Sequence, residues 1–177
     1  MAFRSRRKTY DEAALYDYAV GALGRKMRSV AELKRLLRQR VTGDENGERL
    51  VEAVVARLKE QRYLNDTQFA AAYSSYRREN EKFGKFRVIT DLKAKGVHGD
   101  VIEKAVAEAY AGSSEERLAR AFLARKRLRK PQNEREAARI FRALLRAGFG
   151  TRVSLKILRQ WDVDDEVLAA LESEPQE

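Results

Sequence analysis

The 177-residue chain has no cysteine, a single histidine, two prolines and one tryptophan. Without cysteine there can be no disulfide, thiol nucleophile or thiolate metal site, which suits a reducing compartment, and a cytoplasmic protein is expected. One histidine and no G-x-x-x-x-G-K-[ST] run leave no familiar nucleophile, zinc or nucleotide site. Neither catalysis nor a cofactor is therefore expected. No stretch approaches eighteen consecutive apolar residues, and the basic start MAFRSRRKTY lacks the apolar core of a secretory signal, so no membrane association is expected. Alternating Val/Ile/Thr runs are also missing, which argues against sheet.

What is present points to helices. Hydrophobic residues make up 44 % of the chain, enough for a packed core, and charged residues 36 %, enough for solvated outer faces. The net charge of +10 favours an anionic partner. After a loose basic arm at residues 1–8, Thr9 and Glu12 match a capping box ahead of Leu15, Tyr16, Ala19, Ala22 and Leu23. Ser29 and Glu32 form a second box before Leu33, Leu36 and Leu37. A polar loop, Thr42 to Gly47, precedes a helix with Leu50, Val51, Val54, Val55 and Leu58 on one face. Asn65-Asp66 supplies an N-cap for a helix presenting Phe69, Ala72, Tyr73 and Tyr76. Ser113 and Glu116 read as another box, opening a helix through Leu118, Ala121, Phe122 and Leu128 that Pro131 stops. Asn133 and Glu136 cap the next, which carries Ile140, Phe141, Leu144 and Leu145. Nine helices in groups of three are expected, with Trp161 closing the last group.

The stretch from Gly84 to Tyr110, two helices about a turn at Gly96, is one copy of a repeat. Leu33, Ile89 and Phe141 are each followed three residues later by leucine and eight residues later by Val41, Val97 and Phe149. Val101, Ala105 and Val106 follow Val97 at the offsets by which Val153, Ile157 and Leu158 follow Phe149. Leu50, Val54 and Val55 join the pattern once five extra residues are placed after Val41. The turn glycines Gly96 and Gly148 are matched by Arg40 in the first copy, consistent with a longer loop that needs no left-handed residue. The expected organisation is an all-α array of three tandem three-helix repeats: an arm at 1–8, repeats at 9–63, 64–112 and 113–161, and an acidic tail at 162–177.

The order of Arg28-Ser29-Val30-Ala31-Glu32-Leu33, then Tyr63-Leu64-Asn65-Asp66, then Gly84 to Val97 with Arg87, Leu92, Lys95 and Gly96, resembles the RecX family of bacterial regulatory proteins. Ala138 to Leu158, with Gly148-Phe149, resembles that family's last repeat. The resemblance covers residues 10–161. It implies an elongated, curved molecule that works without catalysis, and a partner, the RecA recombinase, whose filament on single-stranded DNA such proteins restrain. Arg40 and the acidic tail depart from the pattern.

Charge is divided sharply near the end of the chain. Ser113 to Trp161 holds fourteen Lys/Arg against four Asp/Glu, whereas Asp162 to Glu177 holds seven acids and no base. Arg125, Lys126, Arg127, Arg129 and Lys130 place five cations in six residues at a helix end. That run either stabilises and solvates the helix terminus or tracks phosphates or an acidic partner. With Arg87 it forms the candidate binding set for the filament, and for single- or double-stranded DNA if DNA is bound directly. The tail could fold back over this surface. Asp162, Asp164, Asp165 and Glu166 lack the spacing of a calcium loop and read as solvated. His98 reads as a solvated turn residue. Tyr76 and Phe83, interleaved with Arg77, Arg78, Lys82 and Lys85, are open to base stacking. The competing function is a helical nucleic-acid-binding protein independent of RecA, but Asp100, Glu103 and Glu108 on the would-be recognition helix oppose phosphates. A monomer is expected. A compact chain of this length would have a radius of gyration of about 16 Å. Small-angle scattering should give a clearly larger value, and the compact value would reject the extended array.

Overall fold

The computed structural model describes residues 10–173, and the described residues form ten helices and no strand. They are α1 (Glu12–Arg25), α2 (Val30–Arg38), α3 (Glu45–Glu60), α4 (Asp66–Glu79), α5 (Lys85–Ala94), α6 (Gly99–Tyr110), α7 (Glu115–Arg125), α8 (Glu134–Arg146), α9 (Thr151–Arg159) and α10 (Asp165–Ser173). None is long and apolar enough to cross a membrane. The basic arm at 1–8 and Thr9 lie outside the described residues.

Polar caps set the helix starts, with two shifts of detail from the sequence. Asp11 accepts from the Ala14 N–H at the start of α1, and the expected box residue Thr9 lies outside the described residues. Ser114, not Ser113, accepts from Arg117 at the start of α7. Ser29 and Glu32 do form a reciprocal capping box on α2, and Asn133 caps α8. Asn65 caps α4, accepting from Thr67 and Gln68. The inward face of α4 is Phe69, Ala70 and Ser74, with Tyr73 half-buried, whereas Ala72 and Tyr76 are exposed. Weighting large side chains misplaced that face, because the helix turns small residues inward. Helix α7 ends at Arg125, six residues before Pro131, where Arg127 takes a left-handed φ of 56°. The Arg127 and Leu128 N–H groups turn back to Ala124 and Leu123, closing the helix without proline.

The described chain divides into two compact units, one running to Ala70 and including Lys93–Val101, the other Ala71–Leu92 with Ile102 onward. In the first, α1, α2 and α3 enclose Leu15, Ala19, Leu33, Leu37, Val51, Val54, Val55 and Leu58. In the second, Phe122, Leu123, Ile140, Phe141, Leu144, Phe149, Ile157 and Leu158 form the core. Trp161 packs on its edge. Burying each such side chain contributes roughly 1.5–3 kcal/mol. The stretch expected as an acidic tail holds α10, whose Leu168 and Leu171 are buried in this core while its acids stay outside. Leu168 and Leu171 are three apart, the helical spacing that the density of acids hid. Asp165 and Glu166 sit in the first turn of α10, where the helix dipole favours them. Glu116 joins α7 to α9: Lys156 and Arg120, with Gln160, surround its carboxylate and hold it down to about 2.

Each unit contains one instance of the same joint: the start of a second helix pressed on the turn of the following helix triplet. In the first unit the buried Ser29 hydroxyl donates to the Lys95 carbonyl at 2.6 Å, and the Val30 N–H donates to Asp66 at 2.8 Å. Lys95 reaches back to Glu32 at 2.8 Å. Burial alone would raise the Glu32 pKa; the hydrogen bonds from Lys95 and the Ser29 N–H outweigh it and lower the value. In the second unit the Gly84 N–H donates to the Ala147 carbonyl at 2.8 Å and the Phe86 N–H to Gly148 at 3.3 Å. The repeat register, in which Leu33 matches Ile89, pairs Ala31 with Arg87. A Cβ on Gly96 would lie 2.5 Å from that of Ala31, and one on Gly148 would lie 2.6 Å from that of Arg87. Both turns have positive φ, 74° and 88°. Glycine is thus required by a neighbour's helix start as well as by the backbone angle. Arg40, in the matching turn, is exposed, lacks a positive φ and lays its guanidinium over the Tyr18 ring. Loop length was therefore only part of the reason for its being tolerated.

Ser29→Ala removes a cap and strands a carbonyl, and should cost about 2–4 kcal/mol. Gly148→Ala adds strain and a backbone clash, and should cost more than about 2 kcal/mol. Urea unfolding checks both, with Gly24→Ala, in open space, expected to be neutral or stabilising.

Candidate partner-binding surface

The six candidate cations do not form one patch of equal character. Arg87, in the first turn of α5, lies 3.0 Å from Asp91 one helical turn on. Asp91 is also held by Arg77 at 2.6 Å and by the Tyr73 hydroxyl at 3.0 Å, and is largely buried. Arg87 thus helps neutralise a packed carboxylate and stays half exposed, its guanidinium 5.8 Å from the Phe83 ring. The link between α4 and α5 is Asp91 with Arg77 and Tyr73, and Arg87 adds a pair within α5 while keeping an open edge.

The basic run sits in the connection from α7 to α8. Arg125 donates to the Asn80 carbonyl at 2.7 Å and pairs with Glu81 at 3.3 Å. Lys130 pairs with Asp162 at 2.8 Å, and its ammonium lowers the Asp162 pKa. Between them, Lys126, Arg127 and Arg129 are exposed and have no ion pair among the described residues. A helix C-terminus attracts cations through its dipole, but only Arg125 and Lys126 lie within that reach. Arg127 and Arg129 stand beyond it on irregular backbone, where their charge serves no local carbonyl. Such groups can meet phosphates or carboxylates from outside at little desolvation cost.

Among the described residues the acidic stretch pairs with this run through Lys130–Asp162, and its helix is anchored by Leu168 and Leu171. Of the aromatics open to stacking, Phe83 packs on the core beside Phe122 at 6.1 Å, with Arg77 over its ring at 4.8 Å. Tyr76 is 55 % exposed. Phe86, with Lys85 against its ring, and Tyr63 are also exposed. Asp100, Glu103 and Glu108 all face solvent on or around α6, so that helix presents acids where a DNA reader needs neutral or basic groups. His98 is exposed beside Asp100.

A family described as "RecX, second three-helix domain" matches residues 65–106. A regulatory protein RecX from Myxococcus xanthus is 35 % identical over 85 % of this chain and 84 % of its own length. One from Deinococcus radiodurans is 33 % identical over 88 % of this chain and 72 % of its own. Against the RecX of Bacillus velezensis, 33 % identical, the chain spans about a third (34 %) of the relative's length. The fold is that of two solved structures. A crystal structure of regulatory protein RecX gives a TM-score of 0.69 at 20 % identity, covering 84 % of this chain and 73 % of its own. RecX from Lactobacillus salivarius gives 0.63 at 19 % identity, covering 85 % and 96 %.

Loss of the Lys130 ammonium should raise the Asp162 carboxyl pKa back toward the ordinary aspartate range. Carboxyl NMR titration of wild type and Lys130→Gln reads this directly. Identical titrations in the two proteins would mean that the pair does not form in solution.

Proposed function

Because the chain belongs to the RecX family of regulatory proteins, we propose that it regulates by binding, without turnover, and that its partner is the RecA recombinase filament on single-stranded DNA. The reading rests on similarity to a relative described as a regulatory protein along 84 % of that relative's length. The placement of Lys126, Arg127 and Arg129, exposed and without ion pairs among the described residues, supports it. A recombinase filament is a repeating surface with nucleic acid inside it. Several weak contacts along a chain rich in cations can sum on such a lattice through effective concentration. Restraint then follows from occupancy: a bound regulator must be displaced before the filament grows, exchanges or engages a duplex. The protein would act in the cytoplasm as a monomer.

The second reading is nucleic-acid binding independent of the recombinase, favoured by the net charge of +10 and by exposed aromatics next to cations. Titration onto labelled single-stranded DNA, with and without purified RecA filament, separates the two. Strong preference for the filament is expected; equal affinity in both arms would select the second reading. Charge reversal at Lys126, Arg127 and Arg129 should weaken filament binding and flatten its salt dependence. An unchanged affinity and slope would remove the run from the interface.

A further inference from the structure

Two residues before Leu33, Ile89 and Phe141 stand Ala31, Arg87 and Arg139. In the first unit Ala31 presses on the Gly96 turn, and in the second the Arg87 backbone presses on the Gly148 turn. The matching position in α8, Arg139, is exposed on an open groove of about 460 Å³ lined by Asn133, Arg135, Glu136, Arg139 and Arg142. Arg135, Arg139, Arg142 and Arg146 follow one another at intervals of four, three and four residues. At 100° per residue they fall on one stripe, and the eleven steps from Arg135 to Arg146 span about 16 Å of helix axis. All four are exposed.

We propose that this face of α8 binds the phosphate backbone of a nucleic-acid strand. The face that receives a polypeptide turn in α2 and α5 is here lined with guanidinium groups, and seating a turn on it would take those charges out of water. A second copy of the stripe is excluded by like charge. Ile140, Phe141 and Leu144 point into the core, so the stripe has no apolar anchor of the kind a protein interface centres on. Arg135 lies in the first turn, where the helix dipole disfavours a cation, and neighbours three and four apart repel one another. That arrangement destabilises the helix locally unless an anion is brought to it. Guanidinium groups match phosphate oxygens in pairs, and a line of four suits an extended polyanion better than a single carboxylate. The one carboxylate in the groove, Glu136, accepts from the Gln132 N–H at 2.9 Å and is committed to the helix start. Arg135, Arg139 and Arg146 have no ion pair among the described residues.

The test uses the full chain without recombinase, so it stands apart from the filament reading. Fluorescence anisotropy follows binding of a labelled thymidine oligonucleotide across a salt series. The variant R135Q/R139Q/R142Q/R146Q keeps helix propensity and side-chain stems. Each single-strand phosphate contact contributes about 0.7 to the slope of log affinity against log salt, so the quadruple variant should flatten the slope by about 3. Four Arg→Lys changes should largely restore the slope. A quadruple variant with wild-type circular dichroism and an unchanged slope would overturn the proposal. So would polyglutamate competing as well as the oligonucleotide at equal charge, or sedimentation showing a dimer that the variant abolishes. The variant K126Q/R127Q/R129Q should leave the contribution of α8 in place, and complete loss of binding there would overturn the assignment to α8.

Discussion

Backbone pressed against backbone is the constraint on which this fold depends. The start of α2 lies on the Lys95–Gly96 turn, and the start of α5 on the Ala147–Gly148 turn. Neither place has room for a side chain on the turn residue. Hydrophobic burial supplies most of the stabilisation inside each unit, but burial is indifferent to register, whereas a carbonyl 2.6 Å from the Ser29 hydroxyl is not. Three stretches far apart in sequence, around Ser29, Asp66 and Lys95, meet at the first joint. They lie in three of the four stretches that carry the family resemblance. At this joint their shared role is architectural.

The joint also explains why the compact units do not follow the repeat boundaries. The middle triplet, α4 to α6, has its turn claimed by α2 and sends the start of α5 to the α8–α9 turn, so its residues divide between the units.

Much of this was legible in the chain. Capping boxes at Ser29 and Asn133, the apolar periodicity of α3 and α8, and the glycines at 96 and 148 are local signals, and local signals survive folding. Three kinds of information were not local. The inward face of α4 depends on close packing through Ala70 and Ser74, which size-weighted reading passes over. The end of α7 depends on a left-handed arginine, a conformation no residue preference announces. Helix α10 was hidden because seven acids mask two leucines at helical spacing. For the candidate surface, the sequence located the cations of the α7–α8 connection but not their division into paired and unpaired groups. The α8 stripe was visible as arginines at regular spacing, yet its meaning emerged only when Arg139 was matched to Ala31 and Arg87.

Helices usually stop on glycine in the left-handed conformation, yet Arg62, Lys82, Arg127 and Asp162 adopt it with φ between 56° and 61°. An L-residue there costs on the order of 1–2 kcal/mol relative to its right-handed form, which glycine would largely avoid. Three of the four are cations. Arg62, Arg127 and Asp162 are exposed at these corners, and Lys82 is partly exposed. The molecule holds positive charge at its corners at the expense of backbone ease, so its surface potential and its melting temperature are opposed properties of the same residues.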